Sequence, residues 1–300
     1  MQPRTEGPQR CLNFSLAVSP RVRVMNYRDY LGNTIHHFDV PQPHAQLAIT
    51  AEALVELHLA PRTPQNLPVE TWKELDLLTS GDCYEMLMPS HFAHPTEPLE
   101  KLRSELKVGR DRDPLTLARE LNEAMFDAFD YKPKSTKVDS PIDEALELRQ
   151  GVCQDFAHIF IALLRAAGIP ARYVSGYLFH QGDKEERSLD GATHAWVEAL
   201  LPRLGWIGFD PTNRLMAGER HIRTAIGRDY ADVPPTLGVF KGGAESALHV
   251  SVRVSPSEAP PDEPAVEPEE WTPGEPSEEG LEEKQGQEQQ QQQLDDLQAA

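Results

Sequence analysis

Two stretches near the start of the chain alternate hydrophobic and polar residues with period two. Phe14, Leu16 and Val18 are interleaved with Ser15 and Ala17, and Leu47, Ile49, Ala51, Ala53, Val55 and Leu57 keep the same rhythm over a longer run. Successive strand residues face opposite sides, so each pattern predicts one apolar face of an antiparallel sheet. Asp29 to Asn33, ending in Gly32-Asn33, is a turn signal between them. This block carries no helical stripe and no clustered nucleophile, and reads as a small β-rich domain over residues 1–75. His36 and His37 are adjacent, and on a strand they point to opposite faces, which argues against a shared metal.

From about Asp76 the pattern becomes helical. Leu117, Leu121, Ala124, Met125 and Ala128 recur on one side of a 3.6-residue period after the breaker Pro114. Ser140-Pro141-Ile142-Asp143 predicts a second, short helix with Ser140 as N-cap, Pro141 at the first helical position and an acid near the positive end; it stops before Gly151. A third begins near Cys153, carries Phe156, Phe160, Leu163, Leu164 and Ala167, and is closed by Gly168 with Pro170 beyond. Being hydrophobic on several sides, it is expected to be a central buried helix.

Strand patterns then return. Ala171 to Leu178 is aromatic and β-branched, a polar loop runs from His180 to Gly191, and Ala195–Ala199 and Trp206–Phe209 flank the turn-forming Pro202 to Gly205. Leu248, Val250, Val252 and Val254 alternate once more. Helices followed by a run of strands predict an α+β domain, over residues 76–254.

Composition changes this picture at one end only. The chain has 300 residues and a formal charge of −19, and a body that acidic repels nucleic acid and anionic membranes. Most of the charge, however, lies in residues 255–300, where 14 Asp or Glu face one Lys, leaving −6 for the rest. Proline-rich and Gln-rich, that tail cannot bury enough surface to offset the ~1 to 2 kcal/mol per residue lost on ordering a backbone. It is expected to be disordered, either as a protein-binding or solubilising arm or as a solvating extension with no dedicated partner. No apolar run of membrane-spanning length occurs and no secretory h-region opens the chain, so a cytoplasmic address is expected, with neither nucleic acid nor membrane as partner. Cys11, Cys83 and Cys153 are widely spaced and odd in number, which indicates neither a disulfide framework nor a Cys-rich zinc site.

Cys153 is the residue whose position suggests chemistry. A thiol in the first turn of a helix feels free N–H groups and partial positive charge, which favour the thiolate. A base is available if the strands flanking Pro202 to Gly205 form a hairpin. Centred on that turn, the count sets His194 opposite about Asn213, with Asp210 three residues short. A slip to the other parity would place His194 and Asp210 on one face, so the count permits their meeting without predicting it. Spacing alone does not bring Cys153 to either. His91 and His94 have ligand-like spacing but no third ligand, and Asp82, Cys83 and Glu85 are too sparse a cluster for a metal.

Four blocks carry a resemblance. Gly151-Val152-Cys153-Gln154-Asp155-Phe156-Ala157-His158, Gly168-Ile169-Pro170-Ala171-Arg172-Tyr173-Val174-Ser175-Gly176-Tyr177, His194-Ala195-Trp196-Val197-Glu198 and Gly208-Phe209-Asp210-Pro211-Thr212-Asn213 resemble, in order and spacing, the core of bacterial transglutaminase-like proteins. Pro43-His44-Ala45-Gln46-Leu47 and Gly227 to Pro235 extend the likeness to roughly residues 11–254. Members usually carry an additional strand region ahead of the piece with which this chain begins, implying an incomplete β domain or a true start further upstream.

The resemblance implies a papain-like core in which Cys153 is the nucleophile, His194 the general base and acid, and Asp210 the orienting carboxylate, with no cofactor and no metal. It implies a protein or peptide amide as substrate, a thioester intermediate, and water or an amine as acceptor. The backbone N–H of Cys153 is the expected oxyanion donor, with Tyr131, in a polar loop upstream, as a further candidate. Asp155 and His158 are expected to be structural, and Trp196 and Trp206 to pack the sheet or wall the cleft. A non-catalytic binding module on the same fold usually shows itself by loss of a triad member, and all three are present. No EF-hand-like loop suggests calcium dependence.

Overall fold

A computed structural model describes residues 1–58, 63–78, 83–181, 186–188, 191–239, 241 and 249–257. The acidic tail from 258 onward, Leu248, Asp82 and parts of the His180–Gly191 loop lie outside the described residues.

The N-terminal region forms two ribbons. β1 (Gln9–Ser19) pairs antiparallel with the fourth strand, and β2 (Met25–Arg28) pairs with β3 (Thr34–His37) across the expected turn. Asp29 holds that turn by accepting the N–H groups of Leu31 and Asn33 at 2.9 and 2.8 Å. β4 (Ala48–Leu57) puts Ala53, Ala51 and Ile49 opposite Phe14, Leu16 and Val18, the single apolar face that the alternation predicts.

The helical layer follows: α1 (Thr71–Leu78), α2 (Glu97–Glu105) and α3 (Pro114–Ala128). Pro114 is the first residue of α3, not a breaker ahead of it, and Asp113 caps the helix by accepting from Leu115 and Thr116 at 3.1 Å. The two-residue strand β5 (Asp130–Tyr131) leads on to α4 (Ile142–Leu148), which starts one residue later than the sequence pattern implies. Ser140 is not its cap, because its hydroxyl instead accepts the Lys137 N–H at 3.0 Å and closes the preceding turn.

β6 (Gln150–Gly151) pairs in parallel with β5, setting Tyr131 against Gly151. Tyr131 therefore lies in a short strand and not in the polar loop expected for it. α5 (Cys153–Ala167) runs through the centre, with Phe156, Ile159, Phe160, Leu163 and Leu164 fully buried; each such side chain contributes about 1.5–3 kcal/mol. Gly168, at φ 86°, ends the helix in the left-handed conformation that glycine adopts without steric cost.

The main sheet comprises β7 (Ala171–Leu178), β8 (His194–Leu201), β9 (Gly205–Asp210), β10 (Leu215–Met216) and β11 (His221–Gly227), in the order β10-β9-β8-β7-β11. All four neighbouring pairs are antiparallel. Tyr173, Val197 and Phe209 face the helical layer and join its core, with Phe209 packed on Phe160 at 6.0 Å between ring centroids. Val174, Trp196 and Ile226 form a second, small apolar cluster on the other face. Among the described residues the alternation at Val250, Val252 and Val254 makes no strand, and the Val252 N–H donates to Gly191 O at 3.0 Å.

The N-terminal ribbons dock on the outer edge of β11 through two side-chain carboxamides. Gln9 donates to Arg223 O and accepts from Arg223 N, and Asn33 does the same with Ile226, all four bonds being 2.8 Å. Beside them Glu198, 2% exposed, binds Arg172 at 2.7 Å and Arg223 at 2.8 Å.

Candidate active site

Cys153 opens α5 and is half-buried. The carboxylate of Asp155, in the same first turn, accepts the Val152 N–H at 2.8 Å and the Thr136 hydroxyl at 2.6 Å, which fixes the entry into the helix. Burial raises the Asp155 pKa, and these two hydrogen bonds partly offset the rise. His158, one turn further on, stacks on Phe92 at 5.1 Å and accepts the Tyr230 N–H through Nε2 at 3.2 Å. Burial drives its pKa down to about 3, so the ring is neutral.

His194 opens β8 and Asp210 closes β9. The hairpin register pairs Leu201 with Gly205 and Val197 with Phe209, the even parity that brings His194 and Asp210 to one face. His194 Nε2 lies 2.7 Å from Asp210 Oδ2, and both side chains are buried. The ring's other nitrogen, Nδ1, is buried and makes no hydrogen bond among the described residues. Burial opposes charge on this ring, but the Asp210 carboxylate, together with the Cys153 side chain, pushes its pKa up to about 10. Asp210 is held far below the carboxylate range in spite of its burial, because His194 and His221 both stabilise its charged form.

Two residues at this site went unrecognised as partners of Asp210 in the sequence. Asn213, which the hairpin count sets opposite His194, donates Nδ2–H to Asp210 Oδ2 at 2.9 Å. His221, the first residue of β11, places Nε2 3.2 Å from the same oxygen. The signal for His221 was weak: a single histidine with no motif, on a strand whose pairing with β7 was not foreseen. Trp196 walls this face, with the His194 ring 6.1 Å and the His221 ring 5.1 Å from its own. Trp206 lies under the Arg172 guanidinium at 4.2 Å instead.

His194, Asp210 and His221 are grouped closely enough to suggest a metal. A histidine that ligates through one nitrogen carries its proton on the other and points it at an acceptor. At His221 the other nitrogen, Nδ1, faces a donor, the Gly218 N–H at 3.3 Å. The donor set therefore fits a hydrogen-bonded carboxylate and does not fit a metal-ligating His221.

The sequence and the fold were compared with known proteins. Residues 103–211 match the transglutaminase-like superfamily and residues 1–56 the bacterial transglutaminase-like N-terminal region. An uncharacterized protein of Mycobacterium leprae is 31% identical over 257 residues, covering 85% of this chain and 90% of its own. The chain belongs to the transglutaminase-like superfamily. An uncharacterized protein of Mycobacterium tuberculosis is 34% identical over 285 residues, with 86% of each chain covered. A crystal structure from Cytophaga hutchinsonii, provisionally named a cysteine protease, superposes with a TM-score of 0.60 at 26% identity, over 78% of this chain and 76% of that one. A protein-glutamine gamma-glutamyltransferase of Pseudomonas aeruginosa is 33% identical over 132 residues, 38% of this chain and 18% of its own. The superfamily match ends one residue after Asp210, so Asn213 and His221 lie beyond it.

Proposed function

We propose that this transglutaminase-like protein is a thiol enzyme acting on amide bonds of proteins or peptides, with Cys153 as nucleophile, His194 as general base and acid, and Asp210 as the carboxylate that orients His194. The observation that carries this reading is the buried 2.7 Å contact between His194 Nε2 and Asp210 Oδ2, with the ring's Nδ1 left for the Cys153 thiol at the start of α5.

The chemistry follows from these positions. His194 Nδ1 already holds the proton given up by the Cys153 thiol, so Sγ attacks the carbonyl carbon as the thiolate of a thiolate–imidazolium pair, and the charge that develops on oxygen is met by the backbone N–H of Cys153. The same nitrogen returns the proton to the departing nitrogen as the C–N bond breaks, leaving a thioester. Water then yields an acid and an amine yields a new amide; His194 deprotonates either one. Asp210 keeps the ring's orientation and supports its positive charge throughout.

The test is to incubate the protein and its Cys153→Ala variant with a glutamine-containing peptide library, with and without a primary amine, and to read product masses. Cys153-dependent cleavage, deamidation or amine incorporation is expected and tells protease, deamidase and transferase apart. A complete lack of Cys153-dependent product would favour a protein-binding module on the same fold.

A further inference from the structure

The Asp210 carboxylate accepts more donors than orienting one histidine requires. Oδ1 takes the N–H groups of Thr212 and Asn213 at 3.1 and 3.3 Å, while Oδ2 takes His194 Nε2, Asn213 Nδ2 and His221 Nε2 at 2.7, 2.9 and 3.2 Å. The contact with His221 is unlike the others because it comes from a strand that does not neighbour that of Asp210. β11 lies beyond β7 from β8, so His221 reaches Asp210 from the far side of the strand next to that of His194.

The protonation of His221 follows from geometry. The Gly218 N–H can only donate, and it points at His221 Nδ1. Nδ1 is therefore an acceptor, and a neutral ring must carry its one proton on Nε2, which faces Asp210. A doubly protonated ring would set two donors against each other at Nδ1. Burial also favours the neutral form against the pull of Asp210, and the other charged neighbours, His194 and Arg220, act in the same direction as burial.

We infer that His221 is a positioning residue for the His194–Asp210 pair: a neutral imidazole that donates Nε2–H to Asp210 Oδ2 and holds that oxygen toward His194. An anion accepting only from its own turn can rotate about its side-chain bonds. A donor anchored on β11, with its ring against Trp196 and its other nitrogen tied to Gly218, removes that freedom. Because His221 stays neutral, it steadies the carboxylate without competing with His194 as a cation.

The inference rests on the proposed function for its kinetic readout, while its tautomer readout stands apart from that function. In protein labelled with nitrogen-15 histidine, His221 is expected to show the neutral Nε2–H pattern at pH 7; an Nδ1–H or a cationic pattern would overturn the assignment. The second readout is iodoacetamide alkylation of Cys153 against pH, with Cys11 and Cys83 as internal references. His221→Leu is expected to slow Cys153 at least tenfold near pH 6.5 and displace its pH profile. His221→Gln, whose amide can accept from Gly218 and donate to Asp210, is expected to stay within threefold of wild type. A Leu variant with the wild-type profile, or a Gln variant as slow as Leu, would sink the idea. Should the Leu variant not fold, the Gln variant and the tautomer still decide. If wild-type Cys153 reacts no faster than Cys11 or Cys83, the enzymatic reading fails, and the nitrogen spectrum alone judges His221.

Discussion

Five N–H groups converge on the Asp210 carboxylate, and that convergence sets the charge state of its partner. With a pKa near 10, His194 is an imidazolium over the whole neutral range. A folded-state value raised above the ordinary 6.5 contributes stability that is complete below about 6.5 and is lost as pH rises through about 10. Asp210→Asn keeps the size of the side chain and removes its charge. The His194 midpoint, followed by proton NMR, is expected to fall toward 6.5, and Cys153 alkylation at neutral pH to drop by about 10²–10⁴-fold. A variant in which His194 still titrates near 10 would place the source of the shift elsewhere. At this scale the candidate site was partly legible in the sequence: Cys153, His194 and Asp210 came from block resemblance, while hairpin counting, one residue off the observed register, did not reveal Asn213 as a partner of Asp210. His221 came from neither, because its partner lies on a strand three places away in the sheet, a relation that no local spacing expresses.

Among the elements, legibility followed the strength of local signals. α5 and β7 stand where Gly168 and the run from Ala171 put them, because these act on their own neighbours, whereas α3 follows its apolar stripe but takes in Pro114, which the sequence reads as a breaker ahead of it. α4 begins a residue late because Ser140 had a competing local use. Val250 to Val254 failed as a strand because alternation says which face a residue seeks but supplies no neighbour to pair with. Gly176 shows what the sheet requires at one point. On β7 it pairs with His194 on one side and Arg223 on the other, and a Cβ there would stand 2.1 Å from Ile222 O and 2.5 Å from the Trp196 ring. Backbone oxygen cannot step aside, so Gly176→Ala is expected to cost about 1–3 kcal/mol. A denaturant midpoint unchanged from wild type would show that the strands yield more easily than this packing implies.

Across the whole molecule, the N-terminal ribbons and the main sheet meet at β11, and charge is buried at the junction. Glu198 is enclosed with Arg172 and Arg223, and Glu6 approaches both arginines at 3.9 and 3.8 Å. Breaking such a set from one side strands the remaining charges, so Glu198→Ala is expected to lose about 3–5 kcal/mol in equilibrium unfolding. A loss below 1 kcal/mol would mean that the arginines find water when Glu198 goes. No helix among the described residues is long and apolar enough to cross a membrane. The change from strand to helical texture was readable in the sequence, although α1 begins at Thr71, ahead of Asp76, but the contact at β11 was not, since Gln9 and Asn33 look like ordinary polar residues until β11 lies beside them.

Those two carboxamides have a consequence for how molecules of this protein behave toward one another. The outer rim of a sheet is a template on which another chain can add a strand. On β11, the main-chain groups of Arg223 and Ile226 that would receive such a strand are already occupied by Gln9 and Asn33. The N-terminal region thus guards the sheet against polymerising edge to edge, and it does so at the strand that carries His221.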